Sequence, residues 1–156
     1  MNEDLEKLND RLDKDLKGFE DKAKENPELS QTVLGGFMFS DGSIVNEVPY
    51  DPEISFFGEE ICFAMRAWTR GWDIYSPAKN IVYHFYSRGG YYKIWGDRNL
   101  RGLSWKELEE ISYKKQKRIL CGEEEGIFGA GNVRTLAEYE IFTNTNFKDF
   151  YSLTNK

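Results

Sequence analysis

Two incompatible periods meet at Pro27, and the change between them limits the folds open to this chain. Before it, Leu5, Leu8, Leu12, Leu16, Phe19 and Ala23 follow a 3-4-4-3-4 spacing that draws one apolar stripe along a helix. Residues 1–30 hold ten acids and six bases, which is four of the chain's six net negative charges, and the helix is expected to end before Pro27. Its stripe is expected to dock on the chain's own domain or, as a short coiled-coil contact, on a partner. After Pro27 the pattern turns β-like. Val33-Leu34 and Phe37-Met38-Phe39, the turn Ser40-Asp41-Gly42-Ser43, then Ile44-Val45 predict a hairpin over Thr32 to Val48.

Gly35 and Gly36 fall inside the first arm of that hairpin, where paired glycines mark either a plain bulge or a close approach of a ligand to the backbone. Pro49-Tyr50-Asp51-Pro52 reads as a stiff turn. A helix then opens at Gly58 or Glu59, buries Ile61, Ala64, Met65 and Trp68, and stops at Gly71. Cys62 lies within it as a buried thiol. A strand is expected from Asn80 to Tyr86, followed by a glycine- and aromatic-rich loop from Gly89 to Gly96. Two capping boxes, Ser104-Trp105-Lys106-Glu107 and Thr135-Leu136-Ala137-Glu138, announce two further helices.

With 156 residues, one modest core and one compact domain are expected. A net charge of −6 without a basic stripe argues against a binder that tracks nucleic-acid phosphates. The apolar runs are far shorter than the roughly 20 residues of a membrane span. An acidic amino terminus is unlike a secretion signal, so a cytoplasmic location is expected. Two cysteines, Cys62 and Cys121, make neither a disulfide scaffold nor a thiolate metal site.

Chemistry-bearing residues gather in two places. Glu59 and Glu60 are adjacent carboxylates in the first turn of a helix; they either complement its dipole or orient a hydroxyl. His84, the sole histidine, sits late in the expected strand, either as a satisfied core residue or as a ligand. Tyr86, Ser87 and Arg88 follow it, hydroxyls and a cation suited to an anionic phosphate. Asp51 and Arg66 read as structural charges.

A longer pattern joins these places. Gly35-Gly36-Phe37-Met38-Phe39-Ser40-Asp41-Gly42-Ser43, Glu47-Val48-Pro49-Tyr50-Asp51-Pro52 and Phe57-Gly58-Glu59-Glu60 occur in order. They continue through Arg66-Ala67-Trp68-Thr69-Arg70-Gly71-Trp72-Asp73-Ile74-Tyr75-Ser76-Pro77, then Val82-Tyr83-His84-Phe85-Tyr86-Ser87-Arg88, then Gly129-Ala130-Gly131-Asn132-Val133-Arg134-Thr135-Leu136. Over about residues 33 to 150 the chain resembles the C-terminal core of the GlcNAc-transferases that modify protein hydroxyproline. Around Gly58-Glu59-Glu60 and His84 it is also similar to the mucin-type polypeptide GalNAc-transferases.

The resemblance implies an α/β fold of the GT-A type and metal-dependent, retaining transfer of GlcNAc from UDP-GlcNAc to a hydroxyl, such as protein hydroxyproline. It implies a divalent cation, manganese in the first instance, with His84 as its ligand, and Glu59 or Glu60 as the catalytic carboxylate. Gly35, Gly36, Tyr86, Arg88, Tyr91 and Trp95 would then bind the donor and its diphosphate, the last three on a closing loop.

The family's opening strand and helix and its aspartate metal motif have no counterpart here. Asp13-Lys14-Asp15 matches that motif in letters only, inside a charged helix. The expectation is therefore a partial GT-A domain over residues 31–156 that lacks the nucleotide-binding half, preceded by the added helix and linker of residues 1–30. The chain is then expected to be a fragment of a longer transferase, the product of a split reading frame, or a half-domain whose missing half a second polypeptide supplies. Two other readings stand beside transfer: an inactive fragment or accessory domain keeping the acceptor side, and a carbohydrate-binding module using Trp68, Trp72, Trp95 and Trp105 as stacking platforms.

Overall fold

Gly58 and Gly71, both with left-handed backbone (φ 80° and 97°), bracket the helix around which the core is built. The computed structural model describes residue 10 and residues 25–82 and 102–153. In chain order the elements are β1 (Glu28–Leu29), α1 (Ile44–Glu47), α2 (Glu59–Thr69), β2 (Tyr75–Ser76), α3 (Trp105–Leu120), a 3-10 turn (Gly126–Phe128), α4 (Leu136–Thr143) and α5 (Phe147–Leu153). They fall into two units. One takes residues 1–29 and 75–87, the other residues 30–74 and 88–156. The described part of the first contains β1 paired antiparallel with β2, Glu28 opposite Ser76 and Leu29 opposite Tyr75.

The second unit is helical. α2 buries Cys62, Phe63, Ala64, Met65, Arg66, Ala67 and Thr69, so the helix is enclosed on more than one face. Its inner side meets Ile119, Leu120 and Cys121 of α3 and its C-cap, Tyr139 of α4, and Phe147 and Tyr151 of α5. Each large apolar side chain so enclosed contributes roughly 1.5–3 kcal/mol. A smaller cluster of Val48, Phe63 and Ala67 is covered by Val33, Ile44, Trp72 and Ile74.

Both expected capping boxes form. Ser104 Oγ accepts the Glu107 N–H while the Glu107 carboxylate takes the Ser104 N–H; Thr135 and Glu138 repeat the arrangement on α4. The end of α3 is closed by Gly122 at φ 74°, where the Gly122 and Glu123 amides return to the carbonyls of Ile119 and Arg118. Thr69, fully buried at the end of α2, holds the 131–134 segment. Its hydroxyl accepts the Gly131 N–H, and its carbonyl accepts those of Val133 and Arg134.

The expected α/β sheet of a partial GT-A domain is not what these residues build. The described residues are 46% helix and 4% strand, with one open two-stranded sheet. The hairpin expected over Thr32 to Val48 is replaced by a loop and α1. At Gly35-Gly36 the chain turns, the Phe37 N–H meeting the Leu34 carbonyl, because two residues without Cβ give a strand nothing to pack. At Asp41 the carboxylate accepts the Ser43 N–H, an Asx turn that starts a helical turn where the second arm was expected. Phe37, Met38 and Phe39 stay exposed.

Residues 80–82 are irregular, and the remainder of the strand expected over Asn80 to Tyr86 lies outside the described residues. So does the Leu5–Ala23 stripe. No helix among the described residues is long and apolar enough to cross a membrane.

Candidate functional site

The start of α2 carries the carboxylate pair singled out by the sequence. Gly58, left-handed at φ 80°, is its N-cap, and Glu59 and Glu60 occupy the first turn, where the free amides favour negative charge. Glu60 is committed: its Oε1 accepts the Gly35 N–H at 2.7 Å. Glu59 has no hydrogen-bond donor among the described residues. A Cβ on Gly35 would stand 3.2 Å from Glu59 Oε1 and 3.3 Å from Glu60 Oε1, so the glycine lets its backbone lie directly against both carboxylates. Gly36 has open space around its Cα instead. The structure thus brings together Glu59, Glu60 and Gly35, and leaves Gly36 beside them without a tight approach.

The electrostatics separate the two acids further. Partial burial, and then the charge of Glu60, raise the Glu59 carboxyl above its ordinary value. Tyr50, which sequence reasoning left as a turn residue, joins the site. Its ring stacks on Phe63 at 5.1 Å, and burial, then Glu59 and Glu60, push its hydroxyl up. Only the Pro-flanked turn hinted at its placement. Tyr50, Phe56 and Phe57 are about half exposed, so aromatic surface borders the carboxylates in sequence and Tyr50 does so in space.

The segment that delivers Glu59 is held from α3. Phe56 adopts φ 61°, a left-handed conformation uncommon for a bulky residue, within a three-residue turn in which the Phe57 N–H meets the Ser55 carbonyl at 2.8 Å. Ser112 Oγ accepts the Ser55 N–H at 3.0 Å, and the Gln116 amide donates to the Phe57 carbonyl and to Ser112 Oγ. Neither Ser112 nor Gln116 stood out in the sequence, since two polar residues four apart on a charged helix have the look of a solvated face.

Asp51 and Arg66 are structural, as expected, though enclosed rather than solvated. Arg66, 1% exposed, donates to the carbonyls of Pro49 and Ile127 and lies over the Phe128 ring; burial, with Arg70 nearby, lowers it to about 10. Asp51 faces Lys115, on which Glu53 and Glu124 also converge. Trp68 is no open platform: Phe142 stacks on it, Tyr139 packs at a tilt and the Arg134 guanidinium sits 4.9 Å from its ring. Trp72 packs on the second cluster and donates to Glu47. A shallow concavity of about 450 Å³ is lined by Asn46, Glu47, Arg70, Ile127, Asn132 and Val133 and by none of the carboxylate-site residues.

His84, Tyr86, Arg88, Tyr91 and Trp95 lie outside the described residues. The divalent cation implied by the resemblance finds no fit among the described residues: no group of three or more His, Cys, Asp or Glu is placed to hold one. Asp51, Glu53 and Glu124 converge instead on the Lys115 ammonium.

Comparison with known proteins finds a match to the family model described as Glycosyltransferase (GlcNAc), over residues 7–149. The match reaches further toward the amino terminus than the resemblance read from residue 33 onward. No match was found among curated proteins, and none among solved structures. With a matched region that spans nearly the whole sequence and includes Gly35, Glu59 and Glu60, this chain belongs to the GlcNAc glycosyltransferase family.

Proposed function

We propose that this chain serves as the acceptor side of a GlcNAc-transferase domain: Glu59, beside Glu60 on the Gly35 backbone, receives the hydroxyl of an acceptor, and the nucleotide side comes from elements other than the described residues. The observation that carries this reading is the unequal pair. Glu60 is occupied by a backbone amide, while Glu59 meets no donor among the described residues and holds its proton more tightly than an ordinary carboxyl. Such a group can accept a hydrogen bond from a hydroxyl when ionised and take up its proton. The exposed Tyr50 ring beside it offers a face to the acceptor's apolar side.

Full metal-dependent retaining transfer from a UDP-sugar is the second reading, favoured by the family match over residues 7–149. In it His84 would hold the cation, and Tyr86, Arg88, Tyr91 and Trp95 would receive the diphosphate. A hydroxyproline-containing peptide as acceptor and a second polypeptide as nucleotide-side partner belong to the proposal as well.

Calorimetric titration separates the two. A hydroxyproline peptide, and UDP with and without manganese, are titrated into the wild-type chain and its Glu59→Gln and His84→Ala variants. The first reading expects peptide binding that Glu59→Gln weakens, with no manganese-dependent UDP binding. UDP binding that requires manganese and vanishes in His84→Ala would instead favour transfer. Peptide binding indifferent to Glu59→Gln would remove the assignment of Glu59.

A further inference from the structure

The hydrogen bonds from α3 converge on one short segment, and that segment ends at Glu59. Between Ser55 and Gly58 the chain makes a three-residue turn centred on Phe56 at φ 61°, then a left-handed Gly58 at φ 80°. A non-glycine residue in this region costs on the order of 1–3 kcal/mol and persists only where its surroundings enforce it. Here the enforcing groups are two side chains one helical turn apart. Ser112, 1% exposed, accepts the Ser55 N–H, and Gln116 donates to the Phe57 carbonyl while bonded to Ser112 at 2.9 Å. Spacing of four places both on one face of α3. The Gln116 carboxamide also lies so close over Gly58 that a Cβ there would displace it, so glycine suits the left-handed φ and leaves room for the anchor.

We infer that Gln116, with Ser112, is a positioning residue: it holds the strained Phe56–Gly58 turn so that Glu59 stands open beside a Glu60 tied to Gly35. Lys115 holds Asp51 and Glu53 upstream of the turn, and the α2 amide of Cys62 returns to the Gly58 carbonyl downstream. Losing the Gln116 bond releases the Phe57 carbonyl, and relaxation of the Phe56 backbone then turns the first residues of α2. Glu59 then moves toward water and Glu60 away from the Gly35 amide. This inference rests on the reading of Glu59 as the acceptor-facing carboxylate, but its test does not need an acceptor.

The test follows two reporters by NMR in the full chain. One is the Glu59 side-chain carboxyl, whose titration midpoint reads its burial and its distance from Glu60; among the described residues Tyr50 is the only other titratable side chain with a resolved interaction with this pair. The other is the Gly35 amide proton, whose chemical shift responds to its bond to the Glu60 carboxylate. In Gln116→Met, which keeps length and loses the amide, and in Ser112→Ala, the Glu59 midpoint is expected to fall toward its ordinary value and the Gly35 response to be lost. The Glu107 carboxyl in the α3 capping box serves as control and should not move.

Both reporters unchanged in a folded Gln116→Met chain overturn the inference, as does loss of the native fold in both variants, which would assign the pair to the scaffold. Movement of either reporter with Glu107 unmoved upholds it. If the wild-type chain binds no hydroxyproline peptide while the reporters still move in the variants, the acceptor reading fails and the positioning role stands.

Discussion

Glu60 Oε1 accepts the Gly35 N–H at 2.7 Å, a bond that crosses 25 residues of sequence and joins two of the residues marked in advance as a site. It also fixes how tightly the glycine can be enclosed. Alanine at Gly35 would put its Cβ 3.2 Å from Glu59 Oε1 and 3.3 Å from Glu60 Oε1, whereas alanine at Gly36 meets nothing within 4 Å.

Gly35→Ala is therefore expected to shift the two carboxylates by a few tenths of an ångström while the fold persists, since the obstructing atoms are flexible side-chain ends. Peptide binding measured by calorimetry should weaken roughly tenfold, about 1.4 kcal/mol. Gly36→Ala should bind as the wild type does. Equal losses in the two variants would place the acceptor elsewhere on this surface.

The pH dependence of Glu59 has a definite sign. Burial first, then Glu60, raise its carboxyl above 4.5 in the folded state. The folded chain then binds this proton more tightly than the unfolded chain does, so stability declines as pH rises from 4.5 through the folded value, and the full penalty stands above it. Glu59→Gln removes that penalty. It should raise stability to urea at pH 7, by about 0.5 kcal/mol or less once solvent screening of this half-open side chain is discounted, and leave it unchanged near pH 4. A variant less stable than wild type at pH 7 would mean that Glu59 is held by a favourable contact.

Local signals in the sequence proved reliable where a single residue type decides a conformation. Gly58 and Gly71 bounded α2, and two capping boxes started α3 and α4, because left-handed backbone and reciprocal side-chain caps leave few alternatives. The apolar pairs from Val33 to Val45 misled, because alternation speaks of a half-buried surface without supplying the neighbouring strand that would bury it. Asp41 then started a helical turn by one side-chain bond. The site was legible in part: Glu59, Glu60 and Gly35 were marked by their order along the chain, whereas Ser112 and Gln116 act across more than 50 residues and carry no local mark.

The two thiols should be inert. Burial pushes Cys62 up to about 12, and Cys121, 6% exposed, is also raised, by burial first and then by Glu123. The thiolate is the nucleophile, so at pH 8 neither should react with an alkylating reagent on the timescale of a free thiol. Mass spectrometry after iodoacetamide should find both unmodified in buffer and modified once urea has unfolded the chain. Rapid labelling of Cys62 in buffer would show that α2 opens without global unfolding.

The strongest stability effect is expected at Lys115. Its ammonium lies 2.8 Å from Glu124 Oε1, 3.0 Å from Glu53 Oε2 and 3.5 Å from Asp51 Oδ2, with the Asp51 side chain 1% exposed. Removing the cation leaves the three acids unequally placed. Glu53 is half exposed and returns to water, and Glu124 retains Arg118 at 2.9 Å. Asp51 keeps only the Glu53 N–H on Oδ1, while its Oδ2, already without a hydrogen bond, loses its counter-charge. Lys115→Met should therefore cost about 3–5 kcal/mol in urea unfolding, the usual effect of stranding a buried charge. Because the loss resides at Asp51, Lys115→Met with Asp51→Asn should recover most of it, and Lys115→Met with Glu53→Gln should not. Recovery by the Glu53 replacement alone would mean that the exposed partner, rather than the buried one, carries the ion pair.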